Sequence, residues 1–178
     1  LTEADLVKGC LRKKHDCQKQ LFDRYSGRMM SVCLRFAGEQ YEAAEILQLG
    51  FIKVFENIHQ FKGTGSLEGW IRRVIVTVAI RYLSKTKLPT TSINDEDDTT
   101  TVDPDILSKI SSDDIHGFIR KLPDGYRLVF NLNIIEGYSH DEIADMLGIQ
   151  ATTSRTQLLK ARKMLQSLIL KQYNTVSI

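Results

Sequence analysis

The chain has 178 residues, 42% of them hydrophobic and 26% charged, with a formal net charge of +2, an ordinary composition for a soluble globular protein of one or two domains. Its longest apolar-rich run, Val74 to Ile80, falls far short of the ~20 residues that cross a bilayer, and no signal-peptide pattern is visible, so a cytoplasmic protein without membrane insertion is expected. Cys10, Cys17 and Cys33 are odd in number and lie in helical patterns, which argues against a disulfide framework.

The Cys10, His15, Cys17 spacing fits no common zinc site, and no metal or other cofactor is expected. The four histidines, His15, His59, His116 and His140, are scattered, and no nucleophile or phosphate-loop arrangement supports an enzyme, so no catalytic residue is assigned. The small net charge hides a segregation. Residues 1–87 carry 15 Lys or Arg against 9 Asp or Glu, residues 88–114 carry 1 against 8, and residues 115–178 carry 8 against 5.

Thr2 can cap a first helix with Asp5 at its third position, ahead of Leu6, Val7, Cys10 and Leu11. A second helix is predicted from about Asp16 to Ala37, with Leu21, Tyr25, Met29, Val32, Cys33 and Phe36 at threes and fours and Gly38 as its stop. The third is predicted over Glu42 to Ile58, burying Leu47, Phe51, Val54, Phe55 and Ile58 and turning Glu45, Leu49, Ile52 and Glu56 outward. Acidic residues around an exposed Leu49 and Ile52 suit a protein interface; a chance apolar pair on the surface is the alternative.

The loop Phe61-Lys62-Gly63-Thr64-Gly65-Ser66 follows, and it lacks the Lys-Ser/Thr pair of a P-loop. A fourth helix, Leu67 to Lys85, is predicted to bury Ile71, Ile75, Val78 and Tyr82 and to turn Trp70, Arg73, Thr77 and Arg81 away from the core. An aromatic beside cations and a polar loop suits stacking on an unpaired base, although Trp70 could equally be plain core.

The acidic segment Leu88 to Asp114 contains Pro89, Pro104 and Asn94-Asp95-Glu96-Asp97-Asp98 and lacks the apolar density for a core. It reads as a flexible linker rather than a calcium loop, which would need Gly at its sixth position and Glu at its twelfth. A free coil of that length averages roughly 30 Å between its ends.

Two further helices, Asp113 to Lys121 and Tyr126 to Ile135, flank Pro123-Asp124-Gly125. Ser139-His140-Asp141-Glu142 is a capping box, so a helix starts at His140, with Ile143, Ala144 and Leu147 on one face and Gly148 as its left-handed end. The last helix places Leu158, Ala161, Leu165 and Leu168 on one stripe and leaves Ser154, Arg155, Gln157, Lys160, Arg162 and Lys163 off it. An apolar back and a basic, amide-bearing front on the second of two such helices form a helix-turn-helix that fits a major groove; an ordinary helical hairpin is the alternative.

Taken in order, the segment Glu42 to Phe55, Gly69-Trp70-Ile71-Arg72-Arg73-Val74, Leu122-Pro123-Asp124-Gly125-Tyr126-Arg127, Glu136 to Ala144 and Lys160-Ala161-Arg162-Lys163-Met164-Leu165 resemble an extracytoplasmic-function (ECF) sigma factor of bacterial RNA polymerase. The resemblance spans almost the whole chain and implies an all-α protein of two helical domains: a four-helix region 2 at 1–87 and a four-helix region 4 with the helix-turn-helix at 113–178, joined by the acidic linker at 88–112.

It also implies a division of labour. Glu45, Gln48, Leu49 and Ile52 fall on the helix that binds the β′ clamp helices of core polymerase. Phe61, Lys62, Gly63, Thr64 and Ser66 fall where a flipped −10 base is captured, with Trp70, Arg73 and Thr77 beside them. Thr153, Ser154, Arg155 and Gln157 fall at the base-reading end of the −35 recognition helix, and Lys160, Arg162 and Lys163 at phosphates. Promoter DNA, the β flap and an anti-sigma factor are the further partners implied. Leu49, Thr77 and Gln150 depart from the family's usual acidic residue, asparagine and capping serine. A helix-turn-helix regulator acting without polymerase is the alternative.

Overall fold

Thr2 opens α1 (Glu3–Leu11) with a capping box: its hydroxyl accepts from the Asp5 amide at 3.2 Å and the Asp5 carboxylate accepts from the Thr2 amide at 3.1 Å. Two of the amides that every helix start leaves without an intrahelical partner are thereby satisfied. α1 ends in a tight turn in which Lys13 is left-handed, with φ 55°, and the Lys14 amide donates back to the Gly9 carbonyl at 3.0 Å. α2 (His15–Phe36) then packs back along α1. The Cys17 sulfur sits on Gly9 so closely that a Cβ added there would lie 2.1 Å from it.

The computed structural model describes residues 1–87 and 111–174, so the Asn94–Asp98 cluster and nearly all of the expected linker lie outside the described residues. Among those residues there are eight α-helices and no strand, in agreement with the all-α expectation. The chain divides into two compact units, Leu1–Leu83 and Ser84–Ile178.

In the first unit α3 (Gln40–Asn57) packs on α2. The stop between them differs from the sequence expectation. α2 ends at Phe36 with Ala37 extended, and Gly38 acts as a donor: the buried Glu42 carboxylate accepts from the amides of Gly38 at 3.1 Å and Glu39 at 3.2 Å. A 3-10 turn, Ile58–Gln60, leads to the glycine loop and α4 (Leu67–Lys87). α4 comes close to α3 at Gly50, where a Cβ would lie 2.6 Å from Ile75 Cδ1. Its core face is broader than predicted and rotated: Ile71 and Ile75 are buried together with Val76, Ala79, Ile80 and Leu83, whereas Val78 and Tyr82 are only half-buried.

In the second unit α5 (Ser112–Arg120) starts from a Ser111 capping box, and α6 (Asp124–Phe130) starts two residues before the predicted point, directly after Pro123. The buried Arg127 holds this corner, donating to the carbonyls of Leu122 at 2.8 Å and Arg120 at 3.2 Å and pairing with Asp124. Three hydrogen bonds from the guanidinium, one of them to a carboxylate, make such a burial tolerable. α6 widens into a π turn over Asn131–Ile135, where the buried Asn131 amide donates to the Arg127 carbonyl at 2.9 Å. α7 (His140–Leu147) and α8 (Ala151–Asn174) complete the unit, with α8 packed against α5, α6 and α7.

Candidate nucleic-acid interface

The corner between α7 and α8 forms as its sequence dictates. Ser139 accepts from the Glu142 amide at 3.2 Å while the Glu142 carboxylate accepts from the Ser139 amide at 2.8 Å, and these bonds hold the Glu142 carboxyl below its ordinary value. Gly148 closes α7 in the left-handed region at φ 66°, a conformation that costs other residues roughly 1 kcal/mol or more. At the start of α8 the Thr152 hydroxyl donates to Gln150 Oε1 at 3.4 Å.

α8 presents Thr152, Arg155, Thr156, Leu159 and Arg162 to solvent, with Leu159 55% exposed, while Leu158 and Ala161 are buried. Ser154 corrects the sequence assignment: it is 0% exposed, so it cannot meet a base edge. The reason is helical phase, since residue 154 precedes 158 and 161 by four and seven positions and shares their face. Thr153 and Gln157 are half-buried, and the Gln157 amide lies over Gly125 at the start of α6, 3.5 Å from where a Cβ would stand. Lys160 and Lys163 are half-buried. Thr152, Thr156 and Leu159 were missed in the sequence; their spacing of three or four residues from Arg155 or from each other carried the signal.

In the first unit, residues 62–66 of the glycine loop are exposed, with Gly63 and Gly65 at φ 73° and 89°. Ser66 is the cap of α4, its hydroxyl accepting from the Gly69 amide at 3.3 Å. Trp70 is half-buried, and the Phe61 ring lies against it at 5.8 Å between centroids and 52° between planes. Neither plain core nor free surface describes a half-buried indole with a loop ring against it. Arg73, Thr77 and Arg81 continue outward along α4, and the Thr77 hydroxyl donates to the Arg73 carbonyl at 2.9 Å.

The outward face of α3 carries Glu45, Gln48, Leu49 and Ile52, with Leu49 40% and Ile52 46% exposed. The Tyr82 hydroxyl of α4 donates to Glu45 at 2.7 Å, and that bond pushes the Tyr82 phenol up to about 12. Beside this face runs an apolar groove of about 460 Å³, lined by Phe22, Met30, Ala44, Leu47, Gln48, Phe51, Ile52 and Phe55. Phe22 stacks edge-on to Phe51 at 4.8 Å. Phe55, predicted to be core, is half-buried in this groove. A wall drawn from α2 is invisible to a reading of one helix at a time.

All three cysteines are buried thiols, and burial pushes Cys10 and Cys33 up to about 11 and about 12. Among the described residues no group of three His, Cys, Asp or Glu could hold a metal, and no helix is long and apolar enough to cross a membrane.

Two compact helical units, one ending in a helix-turn-helix whose second helix exposes Arg155 and Arg162, fit a DNA-binding protein of modular build. Residues 21–88 match the Sigma-70 region 2 family and residues 112–165 match the Sigma-70, region 4 family, together well over half of the chain. The chain belongs to the sigma-70 family. Within it, the chain is an ECF sigma factor, a protein of transcription initiation. It is 24% identical over 182 residues to the ECF RNA polymerase sigma-E factor of Haemophilus influenzae, covering 95% of this chain and 96% of that one. It is 26% identical over 174 residues to the ECF RNA polymerase sigma factor SigW of Bacillus subtilis, covering 90% and 92%. A solved structure of the sigma factor RpoE in complex with the anti-sigma factor NepR from Bartonella quintana aligns at a TM-score of 0.49 and 15% identity, over 86% of this chain and 96% of that one.

Proposed function

We propose that residues 1–87 act as region 2 and residues 113–178 as region 4, and that α8 reads the −35 element through Thr152, Arg155, Thr156 and Leu159. The observation that carries this reading is the exposed row itself: a guanidinium, two hydroxyls and an apolar side chain on one side of a helix whose other side is buried. Arg suits the paired acceptors of guanine, hydroxyls suit either donors or acceptors, and an apolar group suits the thymine methyl. Arg162, with Lys160 and Lys163 at its sides, supplies phosphate contacts that fix register without reading sequence.

In region 2, Glu45, Gln48, Leu49 and Ile52, with the adjoining apolar groove, form the docking face for the β′ clamp helices. The loop Phe61–Ser66 captures an extruded −10 base beside Trp70, with Arg73 and Thr77 alongside. Trapping such a base offsets an unstacking cost of a few kcal/mol without any catalytic group. The protein works in the cytoplasm with core polymerase, touches the β flap through region 4, and is held in check by an anti-sigma factor.

In vitro transcription with core polymerase on promoters with intact and scrambled −35 elements tests the reading. Arg155→Ala is expected to cost about 1 to 3 kcal/mol on intact −35 elements and nothing on scrambled ones. Equal loss on both templates removes Arg155 from base reading. Tight footprints of the isolated protein on duplex DNA, with no promoter-specific initiation gained by core polymerase, would sink the proposed division of labour.

A further inference from the structure

The burial of Ser154 has a partner. Its hydroxyl lies 2.9 Å from Nδ1 of His140, the first residue of α7 and half-buried. One polar contact thus joins the first turns of the two helices of the helix-turn-helix, which pack together and whose other buried residues, Ile143, Ala144, Leu158 and Ala161, are apolar. Contacts among small apolar side chains are non-directional and tolerate sliding and rotation. A hydrogen bond does not, and a fully buried hydroxyl left without one is strongly disfavoured.

Arg155 and Thr156 follow Ser154 directly in the chain, each step turning the side chain by about 100° around the helix. Where Ser154 is seated therefore sets where Arg155, Thr156 and Leu159 point. We propose that the His140–Ser154 hydrogen bond is a positioning contact for promoter discrimination, fixing the rotation of α8 on α7 so that its exposed row meets −35 base edges. His140 is a positioning residue here; it acts through Ser154 and needs no contact with DNA. This inference rests on the proposed −35 role of α8.

The test uses the full chain with core polymerase and measures the ratio of transcription from intact to base-substituted −35 elements. The variants are Ser154→Ala, His140→Leu, their combination, and His140→Asn, whose side-chain amide can stand near the position of Nδ1. Each of the first two is expected to lower the ratio roughly fivefold, the combination no further than either alone, and His140→Asn to recover most of it. Helix content and core affinity should stay unchanged.

A merely structural bond would lower output equally on every template and leave the ratio intact, and that result overturns the inference, as does full additivity of the two substitutions. If Ser154→Ala reduces the folded population, the comparison of His140→Leu with His140→Asn decides, because residue 140 is half-exposed and both variants leave the fully buried residues unchanged. A wild-type holoenzyme that ignores −35 substitutions overturns the reading of α8 and this inference with it. A discriminating wild type with equally discriminating variants overturns this inference alone.

Discussion

Lys13 holds a backbone conformation that glycine adopts without cost, φ 55° at the end of α1. Lys13→Gly is expected to raise stability by about 0.5 to 1 kcal/mol, relief of the left-handed strain being partly offset by a freer unfolded chain; a denaturant midpoint that fails to rise would refute this. Gly9 is the opposite case. A methyl group there would meet Cys17 Sγ at 2.1 Å, so Gly9→Ala is expected to destabilise by about 1 to 3 kcal/mol through overpacking, measured by the same denaturation. Glu42, Arg127 and Ser154 show what sequence could not disclose at this scale. Each is a polar residue that is buried, and what makes burial tolerable is a partner from a neighbouring turn or helix: two amides, two carbonyls with a carboxylate, and an imidazole.

Helix starts with a Ser or Thr cap read from the sequence, at Thr2 and Ser139, were legible because capping is local. The boxes at Thr2 and Ser139 form as the spacing predicts, and they make helix stability depend on pH. The bonds from Ser139 hold the folded Glu142 carboxyl below its ordinary value of 4.5. Their stabilising effect is therefore complete above that ordinary value and is lost as pH falls through the depressed folded one. Helical signal from α7 should weaken in acid, as read by amide chemical shifts, and Glu142→Gln should flatten that dependence; an unchanged profile would exclude the cap as its source. Helix faces were less legible than helix starts. On α4 the predicted stripe was shifted toward Val78 and Tyr82, and on α8 it was drawn too narrow to include Ser154, because an element packed by more than one neighbour buries a wider arc than a single stripe.

The two units carry separate tasks in the proposed scheme, and variants should separate them. Leu49→Asp, on the α3 face beside the apolar groove, is expected to alter core affinity at every promoter with helicity unchanged, read by polymerase binding and far-ultraviolet circular dichroism. Arg155→Ala should act only where a −35 element is present. The two substitutions lie in different compact units, so their combined effect on intact promoters should be the product of the separate ones; marked non-additivity would argue against independent sites.

Residue order alone determined the all-helical class and the helix-turn-helix, because periodicity, capping and glycine turns act over a few residues and leave a readable pattern; the order of its motifs carried the resemblance to the sigma-70 family. Only the tertiary structure decided which polar side chains are buried and which apolar ones line a groove. The Phe22 and Phe55 rings, the Tyr82–Glu45 bond and the His140–Ser154 pair each depend on side chains brought together from separate helices. Burial and hydrogen bonding between elements are properties of helix rotation and contact in space, and no sequence period encodes them.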